Sequence, residues 1–186
     1  VKTTQITNCT FERNIAYSGG ALHITDCNQI DISASYFSEN HAENGGSIYM
    51  FQFVVVSIRN CLFMHNKADD IGGSVYAKRG NQVLVTNCLV TNGDAEYGAG
   101  ILIWDVKHPT VYKSRFTGNN AKQSGGGLYD INSKTSKVLF TYFTSNIAVS
   151  YGGSAYITKS QNQVLVKNCV LKKSKAEYGA GGLYIS

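Results

Sequence analysis

The sequence predicts an all-β solenoid, a parallel β-helix of about seven coils, each 26–28 residues long. Three observations predict it. One phrase, "FTSNIAVSYGGSAYI" at 143–157, returns as "FERNIAYSGGALHI", "FSENHAENGGSIYM", "FMHNKADDIGGSVYA" and "FTGNNAKQSGGGLYD". Its apolar anchor falls at Phe11, Phe37, Phe63, Val90, Phe116, Phe143 and Leu171, spaced 26, 26, 27, 26, 27 and 28. Apolar residues alternate over short runs, and no segment keeps an i, i+3, i+4, i+7 stripe, so strands are read and helices are not. A unit this short cannot bury its own apolar surface and must stack on its neighbours. Equal positions then lie about 4.8 Å apart, and seven coils make a rod of about 35 Å.

Each coil can be justified in chain order. Five residues before the anchor stands a β-branched residue (Ile6, Ile32, Ile58, Val85, Val111, Val138, Val166), as an inward strand position demands. Two residues before the anchor, Cys9, Cys61, Cys88 and Cys169 alternate with Ser35, Ser114 and Thr141, so the position requires something small and weakly polar. Buried free thiols are expected there, because directly stacked strands rarely offer disulfide geometry. Three residues after the anchor come Asn14, Asn40, Asn66, Asn119 and Asn146, with Gly93 and Ser174 in the other two coils. Asn is read here as a structural turn residue that tolerates left-handed backbone and stacks in a hydrogen-bonded ladder. Five residues after the anchor, Ala16, Ala42, Ala68, Ala95, Ala121, Ala148 and Ala176 mark a bend with room only for a methyl. The double glycines (19–20, 45–46, 72–73, 152–153) mark a second tight corner. Beyond them Leu22, Ile48, Val75, Ile101, Leu128, Ala155 and Leu183 are expected inward, and their successors outward.

That outward column reads His23, Tyr49, Tyr76, Leu102, Tyr129, Tyr156, Tyr184. Stacked tyrosines stabilise a sheet, and they also make an amphipathic strip on which a protein or glycan partner can dock. Tyr49, Tyr76, Tyr129, Tyr156 and Tyr184 are therefore the candidate binding residues. The segments 104–110 ("WDVKHPT") and 130–136 ("DINSKTS") are expected as variable loops beside the strip.

The tandem of Phe-x-x-Asn with Gly-Gly-Ala/Ser-aliphatic resembles the repeats of chlamydial polymorphic outer-membrane proteins and of large protist surface proteins. Phe-x-x-Asn is intact as "FERN", "FSEN", "FMHN", "FTGN" and "FTSN", and the glycine motif is loosened to "GAGI" only in the fourth coil. The resemblance implies a right-handed β-helix, displayed outside the cell for adhesion or structural support. No C-terminal barrel pattern is read within 1–186.

Other chemistries fare less well. Hydrophobic residues are 43% and charged ones 16%, too apolar a balance for disorder. No run approaches a membrane span. The net charge is +5, but with Lys and Arg read as scattered and "LKKSK" (171–175) as the densest run, no nucleic-acid partner is expected. No C-x-x-C occurs and the four histidines lack ligand spacing, so no metal and no cofactor is expected. A polysaccharide-active enzyme is the alternative: Asp69 and Asp70 stand in one coil with Lys78 and Arg79, although such chemistry calls for clustered carboxylates. "NCT" at Asn8 is a single glycosylation sequon. "NQVLV" (81–85, 162–166) and "AEYGAG" (95–100, 176–181) recur at an offset of 81, three coils, which points to block duplication within a longer parent protein. The expectation is one domain over 1–186, with coil-on-coil self-association into filaments as a third possible role.

Overall fold

The computed structural model describes residues 3–186, which form three parallel sheets wound around one core. The long face, a 10-stranded sheet, holds Thr3–Thr7, Leu22–Ser33, Ile48–Arg59, Val75–Thr86 and Ile101–Tyr112. In later coils it continues as split strands: Leu128–Ile131 with Thr135–Leu139, Ala155–Thr158 with Gln163–Lys167, then Leu183–Ile185. The anchor face is a 7-stranded sheet of three-residue strands, running from Thr10–Glu12 to Val170–Lys172. The third face has six strands, from Ile15–Ser18 to Ile147–Ala148. Every strand pairs with its equivalent one coil away, so Phe11 meets Phe37, Phe37 meets Phe63, and Ala16 meets Ala42. No helix occurs among the described residues, so none is long and apolar enough to cross a membrane.

The anchors fill the core. Phe37, Phe63, Phe116 and Phe143 are at most 1% exposed, and their rings stack at 4.8–4.9 Å within each run. Burying each contributes about 2–3 kcal/mol, and stacking about 1 more. The Ala column is buried from Ala42 to Ala148 at 0–2% exposure, but it lies within the strands of the third face rather than at the expected bend.

The asparagines do not turn the corner as expected. Positive φ falls one residue earlier, on Arg13, Glu39, His65, Asn92, Gly118, Ser145 and Lys173. The Asn side chains instead satisfy the backbone that this turn strands inside. Asn66 Nδ2 donates to the Phe37 carbonyl at 3.0 Å, and its Oδ1 accepts the Asn40 N–H at 3.0 Å. Asn119 and Asn146 repeat the pattern. A buried unpaired amide is costly, so the column selects a side chain that both donates and accepts. The fourth coil shows why Asn can fail: a Cβ on Gly93 would lie 2.2 Å from the Ala99 carbonyl, and the Ala99 methyl joins the Ala column in that space. "GAGI" and the missing Asn are thus one compensated change.

The double glycine divides its labour. Gly19, Gly45, Gly72 and Gly152 carry φ of 62–69°, while a Cβ on Gly46 would meet the Gly73 carbonyl at 2.1 Å. The Cys/Ser/Thr column is a donor column. Cys61, Cys88, Ser114 and Thr141 each donate to the carbonyl two residues earlier, at 2.9–3.3 Å. All five cysteines are thiols; the Cys61 thiol and burial push the Cys88 thiol above its ordinary range.

The expected loops are largely strand. Residues 104–110 belong to Ile101–Tyr112, which turns a third corner at Asp105 (φ 56°), as earlier coils do at Asp26, Gln52 and Arg79. In 130–136, Asp130, Ser133 and Ser136 are buried at 1–2% exposure rather than displayed.

Candidate functional site

The outward column forms on the long face in unbroken register: His23, Tyr49, Tyr76, Leu102, Tyr129, Tyr156, Tyr184. It is not a flat exposed strip. Tyr76 and Leu102 are 2% exposed, Tyr49, Tyr129, Tyr156 and Tyr184 are half-buried, and His23 is exposed. The cause is the end of the third face: Lys67–Ile71 and Asp94–Tyr97 stand beside the column as a wall, with Ile71 paired to Tyr97.

Between wall and column runs a groove of about 320 Å³, lined by Asp70, Ile71, Tyr97, Leu102, Trp104, Tyr129 and Ile131. Its floor comes from two outward columns of the long face, because Trp104 and Ile131 stand two residues beyond Leu102 and Tyr129. Aromatic contacts run on from it toward the last coils. Tyr97 and Tyr129 lie 6.0 Å apart, Tyr129 stacks on Tyr156 at 4.9 Å, and Tyr151 bridges Tyr156 and Tyr184 at 5.9 and 4.9 Å. On the other side Tyr49 touches His23 at 4.8 Å and Tyr76 at 5.4 Å.

Burial pushes the Tyr129 phenol up to about 12 and the Tyr76 phenol higher still, so both remain neutral hydrogen-bond donors at physiological pH. Lys78 Nζ sits 4.5 Å from the centre of the Trp104 ring, a cation–π contact at the groove's margin. Asp70 is the one carboxylate in the lining. Its neighbour Asp69 is engaged elsewhere, with His41 Nε2 at 3.0 Å and Lys67 Nζ at 3.1 Å; hydrogen bonds from His41 and then Lys67 hold it below the usual carboxylate range. Arg79 lies over Phe51 at 5.6 Å, outside the lining. The suggested pair of acids and pair of bases is therefore not assembled in one place. Among the described residues no three His, Cys, Asp or Glu converge as a metal site.

Of the five candidate tyrosines, Tyr129 lines the groove itself, Tyr156 and Tyr184 extend its aromatic surface, and Tyr49 and Tyr76 lie on the side of His23. Tyr97, Trp104, Ile71 and Ile131 were not foreseen. The wall escapes a column count because register shifts between Ala42 and Asn44 and again between Ala95 and Tyr97. Trp104 was hidden by the loop reading of 104–110.

Three parallel sheets closing one core, with ladders of equal residues and a groove along one edge, define a β-solenoid repeat protein. Residues 47–186 match the family described as right handed beta helix region, and the chain belongs to that family. No curated protein and no solved structure matches it.

Proposed function

We propose that this chain is a non-catalytic, adhesive segment of an extracellular or cell-surface protein, and that the aromatic groove is its contact surface for a glycan or protein partner. The groove's lining carries the reading: four aromatic or aliphatic side chains and two phenol donors surround a single carboxylate. Such a composition binds by stacking and hydrogen bonding, whereas glycosidic cleavage calls for two carboxyl groups at a fixed separation. The intact Phe-x-x-Asn and glycine motifs in register support a place in the polymorphic outer-membrane-protein type of repeat.

Adhesion of beads coated with the chain to cultured cells tests this directly. Tyr97→Ser/Trp104→Ala/Tyr129→Ser should lower bead retention several-fold while leaving the β-sheet circular dichroism unchanged; undiminished retention refutes the assignment. A second reading, a polysaccharide-active enzyme, is favoured by Asp70 lying in the groove, with Lys78 over the Trp104 ring at its margin. It requires release of sugar ends from an acidic polysaccharide, lost in Asp70→Asn. The adhesive reading expects no such release.

A further inference from the structure

The charges look scattered along the sequence but are segregated by coil. Eleven of the 17 Lys and Arg, but only two of the 12 Asp and Glu, follow Asp105. Of those two acids, Asp130 is buried inside the solenoid, which leaves Glu177 as the lone acid on that surface.

The cations collect on one face. Beyond the third corner, the long face and its turn into the anchor face present Lys107, Lys113, Arg115, Lys134, Lys137 and Lys167, all exposed. Register sets Lys134 one coil from Lys107 and places the others on the same surface beside uncharged neighbours. Lys134 donates its backbone N–H to the Lys107 carbonyl, Lys137 pairs with Thr110, and Lys167 pairs with Leu139, next to Phe140. No Asp or Glu occurs in 106–117, 131–144 or 159–172, and Asp105, at the corner, lines one depression with Lys107 and Lys134.

At its centre is a shallow depression of about 360 Å³ walled by Lys113, Arg115, Phe140 and Tyr142. Phe140 and Tyr142 are 43% and 47% exposed. Phe140 also holds φ 52°, in a column where four of the other six coils place Asn. A bulky side chain in left-handed backbone is disfavoured, and such strain is concentrated at functional positions. The Phe140 ring packs edge-on against Tyr112 at 5.7 Å and is otherwise open to solvent.

We propose that this face is a docking surface for a polyanionic glycan, a chain of sulfated or carboxylated sugars. Its charge is positive apart from Asp105 at the corner, and hydroxyl and amide groups such as Thr110 and Gln163 are interleaved with the cations. A linear polyanion can lie along the stacked columns without deforming either partner. Lys113 sits over Tyr112 at 5.2 Å and Arg115 over Tyr142 at 5.4 Å, so these rings already carry cations and are not open platforms for nucleic-acid bases. Two exposed aromatics are too little apolar surface for the core of a protein interface. This inference shares with the proposed function only a location outside the cell; its site lies on the other side of the third corner of the long face.

The test is binding of the whole chain to heparin oligosaccharides and to polygalacturonate, with neutral dextran, single-stranded oligothymidylate and polyglutamate as competing classes. Both charged glycans should bind at low salt, weaken as salt rises, and outbind the other three at equal ionic strength. Lys137→Ser/Lys167→Ser should weaken glycan binding about tenfold, and Lys137→Arg/Lys167→Arg should restore it. Arg13→Ser/Arg79→Ser, with the same loss of charge in the earlier coils, should change it less than twofold. The groove variant Trp104→Ala should leave it intact, which keeps this result separate from the fate of the groove. Absence of glycan binding, tighter binding of oligothymidylate or polyglutamate, or equal loss in the Arg13/Arg79 control overturns the assignment.

Discussion

A single Asn shows how much of this fold rests on side chains that finish the backbone's hydrogen bonding. Asn66 is fully buried, donating to the Phe37 carbonyl and accepting from both the backbone N–H and the side-chain amide of Asn40. Asn66→Ala strands the Phe37 C=O and the Asn40 N–H without water, and each orphaned group costs about 1–3 kcal/mol. Denaturant unfolding should register a loss of about 3 kcal/mol. Asn14→Ala should cost less, about 1 kcal/mol, because Asn14 is exposed and its bonds to Asn40 are donations from a solvent-accessible position. The residue pattern made this column visible in the sequence, but its role was misassigned. Periodicity reports that a position is constrained; it does not say whether φ or a buried amide imposes the constraint. The true left-handed positions are harder to see, because Arg13, Glu39, His65 and Ser145 share no side-chain chemistry.

At the level of the strand, the fifth coil breaks the apolar rule. Asp130 sits in register between Ile103 and Ile157, in a column that is nonpolar in every other coil and buried at Met50, Ala77, Ile103 and Ile157. Ser133 donates to its Oδ1, while Oδ2 has no protein donor. Burial pushes the carboxyl up to about 6, against which the Ser133 hydroxyl and the nearby Ser136 work only in part. The unfolded chain holds this group near its ordinary value of 3.8. Between those two values the native state retains a proton that the unfolded state has lost, so stability falls as pH rises from about 4 to 6 and levels off above. The shift of roughly two units corresponds to about 3 kcal/mol. Thermal melts should therefore show a higher Tm at pH 5 than at pH 7.5, and Asp130→Asn, which keeps the size and removes the charge, should abolish that difference. A wild-type Tm that rises from pH 5 to 7.5 contradicts the burial of an ionisable Asp130. None of this was legible beforehand. "DINSKTS" has the composition of a loop, and composition wins unless the register of the flanking coils is imposed on it. The groove wall was missed for a related reason, since Ile71 and Tyr97 follow a bulge that shifts the side-chain alternation.

The whole molecule is a rod whose charge changes along its length. The period and the anchor, Ala and β-branched columns were enough to specify the solenoid, because a strand register repeated seven times leaves few ways to bury the Phe ladder. Charge, by contrast, has no period here; its polarity emerges only when residues are assigned to coils and faces. Coils beyond Asp105 carry an excess of nine positive charges, larger than the +5 of the entire chain. Like charges gathered on one surface, with Lys134 one coil and about 4.8 Å from Lys107, repel in the native state more than in an expanded one. Ion pairs such as Arg13–Glu39 and Arg59–Asp31 relieve this in the early coils, and Lys137 has no such partner among the described residues. Added salt should therefore stabilise the rod, raising Tm between about 10 mM and 150 mM NaCl as the screening length falls from about 30 to 8 Å. Lys137→Glu should raise Tm at the low-salt end, through new pairs with its neighbouring cations, and lose that advantage at high salt. If Tm instead falls with salt in the wild type, the basic face is not self-repulsive. If Lys137→Glu gains nothing at low salt, its neighbours lie too far apart to act as one charged surface.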